Sequence, residues 1–485
     1  MSVSEAAVAE RSAPAGRRPR VRGAVGRGVR AALGVRSPDA SVPKWHVSPV
    51  VDVGAYALSW LWVLVPMLFV GDRFRIDYLG VYLVVLVATD VHRHFGMPYV
   101  YFDRQVFTRH PIRFTAFPLL MAALFAGAIF AYGSRATVSP LSLALCAGAL
   151  AGFISVLRSD RPDGPGLRAA TVRALTWTLG VGSVAVAGVW LLTGGAPGTG
   201  PRVSAVFNAI AVFAAVWNIW HVYMQKYGIF RMYNAKHEGE AARARAAALA
   251  AGEPTERDRS SATATVPGWV DRLLIFAWLP LYFAWLSPRY AGVVFENFSQ
   301  GRATLEPVLA FFTRAEPFLL PPSFALVAVS IGLFVYYEHR ASGLRNAPRL
   351  WMAVGTTLLA SSFLWIHPVK AYLAYAFSHA VEYMVFVWAY QRRRYQAPLS
   401  HQPLLGRILR HPAVAYLGFV LVLGAAFLYL KYYGRWIFPT GHAPTIFGWS
   451  AVHVVAVYTI YQSMWHFYFD GFLWKMRLPI NRATI

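Results

Sequence analysis

Residues 318–337 read FLLPPSFALVAVSIGLFVYY and contain no charged side chain. A helix of about 20 apolar residues is long enough to cross the hydrocarbon core of a bilayer. Basic side chains follow this stretch at Arg340, Arg345 and Arg349. An apolar segment followed by positive charge predicts a membrane-spanning helix that ends on the cytoplasmic side.

Apolar stretches of similar length recur along most of the chain, which is 57% hydrophobic and only 14% charged. Soluble domains carry about 25% charged residues. We therefore expect an all-α, polytopic integral membrane helix bundle with about 12 transmembrane helices. The predicted spans are 50–70, 78–95, 114–132, 140–158, 172–192, 203–222, 269–287, 318–337, 350–366, 368–390, 411–431 and 445–468.

The distribution of positive charge predicts the orientation. Basic residues follow each even-numbered span, whereas the opposite connections are short or balanced in charge. This bias indicates a multi-pass protein of the cell (inner) membrane with both termini in the cytoplasm. The net charge of +24 is also explained by this bias, because basic cytoplasmic loops lie next to anionic lipid headgroups. Membrane lipids rather than nucleic acid are therefore the expected partners.

Composition shifts along the chain predict its domain organisation. The arginine-rich start reads as a disordered cytoplasmic arm that either contacts lipid headgroups or merely solubilises the chain. The Ala-, Arg- and Glu-rich stretch near the middle reads as a linker between two six-helix halves. The predicted segments are the arm 1–48, the first half 49–234, the linker 235–268, the second half 269–478 and a cytoplasmic tail 479–485.

Four even-numbered spans each combine a histidine with a polar side chain three or four residues away. This spacing places both groups on one helix face. Polar groups within membrane spans are costly and usually functional. The pairs are Asp90 with His94, His221 with Gln225, His379 with Glu382, and His466 with Asp470.

Facing helices that supply imidazoles and carboxylates are a common way for a bundle to hold a metal ion. We therefore predict metal ligands on these helices, with Gln225 and Asp103 orienting their neighbours by hydrogen bonds. Alternatively, these histidines only hydrogen-bond to neighbours or water at the membrane interface. The predicted ligands are His94, His221, His379, His466, Asp90, Asp470 and His92, although His92 points to the opposite side from His94 if the helix continues there.

The histidine-bearing helix ends resemble those of the membrane lipid desaturases and hydroxylases, and His92-Arg93-His94 is similar to one of their histidine boxes. This resemblance implies iron or another divalent metal as cofactor. It also implies a lipid or other apolar small-molecule substrate and a cytoplasmic electron donor. Cys146 is the single cysteine, which excludes a disulfide framework or a cysteine-based metal site.

A second stretch, His379-Ala-Val-Glu-Tyr-Met-Val-Phe-Val-Trp388, is similar to the motif around the catalytic histidine of membrane-bound O-acyltransferases. The segment Trp217-Asn-Ile-Trp220-His221 is similar to an upstream motif of that family. This resemblance implies that His379 is a catalytic base and that His221 supports it. Ala380 and Glu382 stand where that family has Gly and Asn.

The leading hypothesis is a membrane-embedded, metal-dependent oxidoreductase that acts on a lipid or apolar substrate at the cytoplasmic side of the bilayer. In it, His379 and Glu382 take part in the chemistry. One alternative is an O-acyltransferase-like enzyme that uses His379. The other is a secondary transporter whose halves rock around midplane groups such as Glu382 and His453.

Overall fold

A computed structural model describes most of the histidine-bearing part of the chain. All described residues belong to one unit of the chain, Lys44–Ile485. The described residues are 45–72, 77–122 without 78, 116 and 120, scattered helical positions between 148 and 187, 203–250, 265–297, 302–395, and 445–473 without 447–448.

Several predicted segments lie outside the described residues. These are residues 1–44 of the basic arm, the span at 411–431 and the tail at 479–485. The spans at 114–132, 140–158 and 172–192 lie outside them in large part.

The described residues form helices, together with one small antiparallel pair of strands. In that pair Thr445 faces Ser450 and Ile446 faces Trp449. The elements in chain order are α1 (Pro49–Asp52), a π-helix (Val53–Ala57), α2 (Leu61–Leu68), α3 (Leu79–Phe95), α4 (Met97–Phe102), α5 (Arg104–Phe107), α6 (Val203–Ala250), α7 (Gly268–Phe276), α8 (Trp278–Asn297), α9 (Arg302–Ser342), α10 (Ala347–Ser362), α11 (Pro368–Arg394), β1 (Thr445–Ile446), β2 (Trp449–Ser450) and α12 (Ala451–Leu473).

The helical, membrane-compatible character predicted from the sequence is confirmed for the described residues. Two stretches, Gly268–Gly292 and Glu306–Ser342, are long and apolar enough to cross a bilayer. The helices Pro49–Ala57 and Leu61–Leu68 meet at 58° and add a third span if they cross together. These stretches contain the predicted spans at 269–287 and 318–337 and nearly all of the one at 50–70.

Local sequence explains where several helices begin. Proline stands in the first turn of α1, α10 and α11, where its missing N–H leaves no hydrogen bond unmade. The hydroxyl of Ser48 accepts a hydrogen bond of 3.2 Å from the backbone N–H of Val51 and so caps α1. α11 ends in Arg392, Arg393 and Arg394, whose positive charges suit the negative end of the helix dipole.

Helix α6 is much longer than the span predicted within it. It runs for 48 residues, or about 72 Å at 1.5 Å per residue, whereas the hydrocarbon core is about 30 Å thick. Residues 235–250, in the predicted linker, are part of this helix. Their Ala-, Arg- and Glu-rich composition favours helix because these side chains lose little conformational freedom there.

Helix α11 lies at the centre of the described bundle, where it packs against α2, α3, α6, α10 and the π-helix. Helix α10 approaches the π-helix so closely that a Cβ added at Gly355 would overlap the carbonyl of Ala57. A glycine is needed at this crossing because no side chain fits between the two backbones.

A buried ionic network joins four helices beside this core. The guanidinium of Arg349 is fully buried and donates to Glu338 Oε2 at 2.8 Å and to Asp271 Oδ1 at 2.8 Å. Arg231 also donates to Asp271, at 3.3 Å. Buried charges of this kind are stable only when paired and hydrogen-bonded, so the network specifies how α6, α7, α9 and α10 fit together.

Candidate metal centre

Four helices meet around one point inside the bundle. Helix α3 packs against α11 and α12, and α6 packs against the same two helices. Aromatic contacts support the pairing of α6 with α12: the ring of Phe467 stacks on His221 at 4.5 Å and lies 6.0 Å from Trp217. Each of the four helices directs one histidine to the meeting point, namely His92, His221, His379 and His466.

The four imidazole rings form a closed square. The ring centroid of His92 lies 4.8 Å from that of His379 and 4.8 Å from that of His466. The ring centroid of His221 lies 5.1 Å from that of His379 and 4.8 Å from that of His466. All four side chains are buried, with exposed fractions of 2–6%. The rings meet edge to face, with interplanar angles of 69–89°.

Six of the eight ring nitrogens of this square lack hydrogen-bond partners among the described residues. Both nitrogens of His92 and of His379, and Nε2 of His221 and of His466, are buried with no partner among the described residues. Buried polar atoms in native proteins are almost always satisfied, so six such atoms at one point need a physical explanation. A bound cation would satisfy several nitrogens at once.

The spacing of the rings fits a single ion. A metal–nitrogen bond of about 2.1 Å places an imidazole centroid about 3.2 Å from the ion. Two such rings at ligand angles of about 90–110° then have centroids about 4.5–5.2 Å apart. The four observed distances, from 4.8 to 5.1 Å, all fall within this interval.

Asp470 adds a carboxylate to the square. Its Oδ2 lies 3.4 Å from Nε2 of His466 and 3.8 Å from Nε2 of His221. Both distances exceed an ordinary hydrogen bond, which is about 2.7–3.2 Å long. Atoms bound to one ion at about 2.1 Å lie about 3.0–3.6 Å apart for angles of about 90–120°. The separation from His466 falls within this interval, and the separation from His221 is slightly longer.

Two sets of donor atoms therefore could hold a metal. They are His92, His379 and His466 in one set and His221, His466 and Asp470 in the other, with the donor atoms of each set within 4.8 Å of one another. The two sets share His466, and the second adds the carboxylate of Asp470 to the imidazoles. Imidazole with a single carboxylate suits several divalent first-row metals alike and does not single out iron.

Of the two α3 histidines that the sequence predicts as ligands, only His92 lies at the square. The sequence predicts His94 as a ligand, but its Nδ1 lies 2.8 Å from the Asp90 carbonyl and its Nε2 lies 2.8 Å from the Tyr458 hydroxyl. Both nitrogens are thus engaged away from the square, and His92 takes the place at the centre. Two residues along a helix turn the side chain by about 200°, so only one of them faces inward.

Asp90 also lies outside the square. Its Oδ1 accepts hydrogen bonds from Arg93 at 3.0 Å and from Gln462 at 3.1 Å. The predicted pair of Asp90 with His94 therefore links backbone and side chain within α3 and ties α3 to α12. It contributes no donor to either metal-compatible set.

Glu382 lies in a buried ion pair next to the centre. Its Oε1 accepts from the ammonium of Lys226 at 2.6 Å and from the Ser378 hydroxyl at 2.6 Å. Glu382 is 0% exposed and Lys226 is 1% exposed. Gln225, predicted to orient a neighbour, donates to the backbone carbonyl of His379 at 2.9 Å and so ties α6 to the helix that carries this histidine.

Asp103, which the sequence predicts to orient a metal ligand, instead caps a helix and binds an arginine and a tyrosine. Its Oδ2 accepts from Arg394 at 2.8 Å and from Tyr395 at 2.7 Å, and its Oδ1 caps α5 through the N–H of Gln105 at 3.0 Å. Burial by itself raises the pKa of Asp103, but these hydrogen bonds outweigh burial and hold the pKa below its usual value.

Sequence reasoning misses two residues at the site. Tyr383 donates from its hydroxyl to Oδ1 of Asp470 at 3.0 Å, and its ring lies 4.9 Å from that of His466. Lys226 forms the ion pair with Glu382. Tyr383 follows His379 by four residues, the same spacing that indicates Asp470 beside His466, so its position carries a usable signal.

We compared the chain with protein-family models, curated proteins and solved structures, and none of them matches it. The function is therefore inferred from the geometry of the centre and from the chemistry of its side chains.

Proposed function

We propose that the protein is a membrane-embedded metalloenzyme, an oxidoreductase that uses a divalent transition metal held by His92, His221, His379, His466 and Asp470. The observation that carries this proposal is the closed square of buried imidazoles whose inward nitrogens have no hydrogen-bond partner among the described residues. The full chain is proposed to form the twelve-span bundle of two six-helix halves, with both termini in the cytoplasm and the centre on the cytoplasmic side.

The donor set supports redox chemistry more than a purely structural metal site. Structural zinc sites are usually four-coordinate and use cysteine, whereas this centre offers four imidazoles and a carboxylate. Neutral imidazoles leave the positive charge of a divalent ion largely uncompensated. Such sites are typical for iron and copper, whose open positions bind oxygen or substrate. The resemblance to lipid desaturases and hydroxylases agrees with this and makes iron the first metal to test.

The surroundings of the centre support an apolar substrate. Apolar side chains that lie close to these histidines in the sequence, such as Val91, Ala380 and Met384, are buried in the core of the bundle. On the outer face of α6, Trp220 is 55% exposed next to His221, as expected for a helix that faces lipid. A lipid or other apolar molecule would reach the centre sideways between helices. Electrons would arrive from a cytoplasmic partner.

The experiment is elemental analysis of the detergent-purified full chain after expression with iron, manganese, zinc and copper available. We expect about one bound transition-metal ion per chain. His92→Ala, His221→Ala and His466→Ala should each reduce the metal content strongly, because each removes a donor from the square. His94→Ala is the matched control and should retain the metal, since its ring bonds to Asp90 and Tyr458 instead.

The outcomes separate the alternatives. Metal at background level in the wild type, still absent after anaerobic reconstitution, refutes the metalloenzyme. In that case an acyltransferase requires His379 and tolerates His466→Ala. A transporter instead moves solute without chemical change and couples to an ion gradient.

A further inference from the structure

The two oxygens of Asp470 have different surroundings. Oδ2 faces the square, at 3.4 Å from Nε2 of His466 and 3.8 Å from that of His221. Oδ1 accepts a hydrogen bond of 3.0 Å from the hydroxyl of Tyr383. We infer that Tyr383 is a positioning residue that restricts Asp470 to one metal bond and thereby keeps a coordination position open for oxygen or substrate. This inference rests on the proposed function.

Tyr383 is held in place by the square itself. Its ring lies 4.9 Å from that of His466 and 5.7 Å from that of His92, both edge to face. The side chain is 3% exposed. An edge-to-face ring has few other orientations in a packed interior, so the hydroxyl has a well-defined direction towards Asp470.

The hydrogen bond links two helices one turn beyond the histidines. Tyr383 follows His379 by four residues on α11, and Asp470 follows His466 by four residues on α12. Residues four apart lie on the same face of a helix. The contact between Tyr383 and Asp470 is therefore a second layer, parallel to the layer of the imidazoles, and it connects the two helices that supply His379 and His466.

The number of ligands explains why the hydrogen bond from Tyr383 to Asp470 matters for coordination. Four imidazole nitrogens and one carboxylate oxygen make five bonds, and a divalent first-row ion has room for one more. A carboxylate bound through both oxygens would occupy the sixth position. The hydroxyl of Tyr383 donates a hydrogen bond to Oδ1 instead and so competes with the ion for this second oxygen. Carboxylate ligands commonly depend on such outer hydrogen bonds.

The test uses cobalt(II) in the purified full chain, because its visible absorption reports coordination number, and azide as the probe of the open position. Wild-type protein should give the stronger absorption of a five-coordinate ion and should bind azide. Tyr383→Phe keeps the ring but removes the hydroxyl. It should retain cobalt, show the weaker absorption of a six-coordinate ion, and bind azide about 10- to 100-fold more weakly.

Two further variants distinguish positioning from general damage. Tyr99→Phe is the matched control: this tyrosine is also 3% exposed and its hydroxyl makes a bond of 3.1 Å to Tyr390, away from the square. It should bind azide like the wild type. In the double variant Tyr383→Phe/Asp470→Ala no carboxylate is left to chelate, so azide affinity should return to within about threefold of the wild type.

The outcomes distinguish a failure of the positioning role of Tyr383 from a failure of the proposed metal centre. Unchanged azide affinity in Tyr383→Phe, or no recovery in the double variant, overturns the positioning role while the metal centre stands. A six-coordinate spectrum in the wild type overturns it as well, even if Tyr383→Phe cannot be produced. A wild-type chain that takes up neither cobalt nor any other metal overturns the proposed function and the inference together.

Discussion

The ion pair between Lys226 and Glu382 predicts a large and specific loss of stability when it is broken. Their atoms Nζ and Oε1 lie 2.6 Å apart, with exposed fractions of 1% and 0% for the two residues. Lys226→Met leaves the Glu382 carboxylate buried with the Ser378 hydroxyl as its remaining donor to Oε1. Removing one partner of a buried pair costs about 3–5 kcal/mol.

Removing both charges should cost far less than removing one. In Lys226→Met/Glu382→Gln the neutral amide still accepts from Ser378, and no unpaired charge is buried. The attraction between buried ions largely offsets the cost of their desolvation, so apolar or neutral replacements are often close to neutral. We expect the double variant to recover to within about 1 kcal/mol of the wild type.

The assay is denaturant unfolding of the detergent-purified full chain, followed by tryptophan fluorescence in one detergent throughout. Lys370→Met serves as the control, because this lysine pairs with Asp72, whose side chain is 64% exposed and stays hydrated, and donates to the Val70 carbonyl at 2.6 Å. Its loss should be about 1–2 kcal/mol, since no buried charge is left unpaired. The reasoning is refuted if Lys226→Met loses less than the control, or if the double variant is as unstable as the single one.

Two other predictions concern stability away from the centre. Asp103→Asn removes the charged acceptor of Arg394 and should lower the free energy of unfolding by about 1.5–3 kcal/mol at pH 7. Because the pKa of Asp103 is lowered in the folded chain, this stabilisation is complete above the unfolded value of about 3.9 and is lost as pH falls through the folded value. The wild type should therefore approach the variant in acid, and a constant difference between their unfolding midpoints would contradict this. Gly355→Ala should lower the thermal midpoint because its Cβ overlaps the Ala57 carbonyl, whereas Gly332→Ala, with open space around it, should not. Equal midpoints for these two glycine variants would show that α10 can move away from the π-helix.

Part of the centre can be predicted from the amino-acid sequence. His221, His379 and His466 are predicted as ligands because each lies in a predicted span beside a polar residue at helical spacing, and the structure brings these three together. Asp470 joins them at 3.4 Å from His466. Residues three or four apart lie on the same face of a single helix, so their proximity can be predicted without knowing how the helices pack.

The choice between His92 and His94 cannot be made in this way. The spacing of Asp90 and His94 favours His94, and the structure places His92 at the centre instead. Both side chains belong to the same turn of α3 and are buried. What separates them is which side of α3 packs against α11 and α12, and this depends on residues hundreds of positions away.

The role of Glu382 is likewise decided by a distant partner. In the sequence it is a carboxylate beside His379, available for catalysis or metal binding. In the folded chain Lys226, on another helix, binds it. A carboxylate that neutralises a buried ammonium serves the packing of α6 on α11, and no pattern within α11 reveals that the ammonium is there.

By itself, then, the sequence determined the helical and membrane-compatible character of the chain and the helices that carry histidine. Apolar length and helical period are local quantities, which each segment carries in its own residues. Only the tertiary structure decided which face of each helix turns inward, and with it the square of imidazoles and the hydrogen bond from Tyr383 to Asp470. Those contacts join side chains 87 to 374 positions apart, whose meeting depends on how whole helices pack and not on the spacing within any one of them.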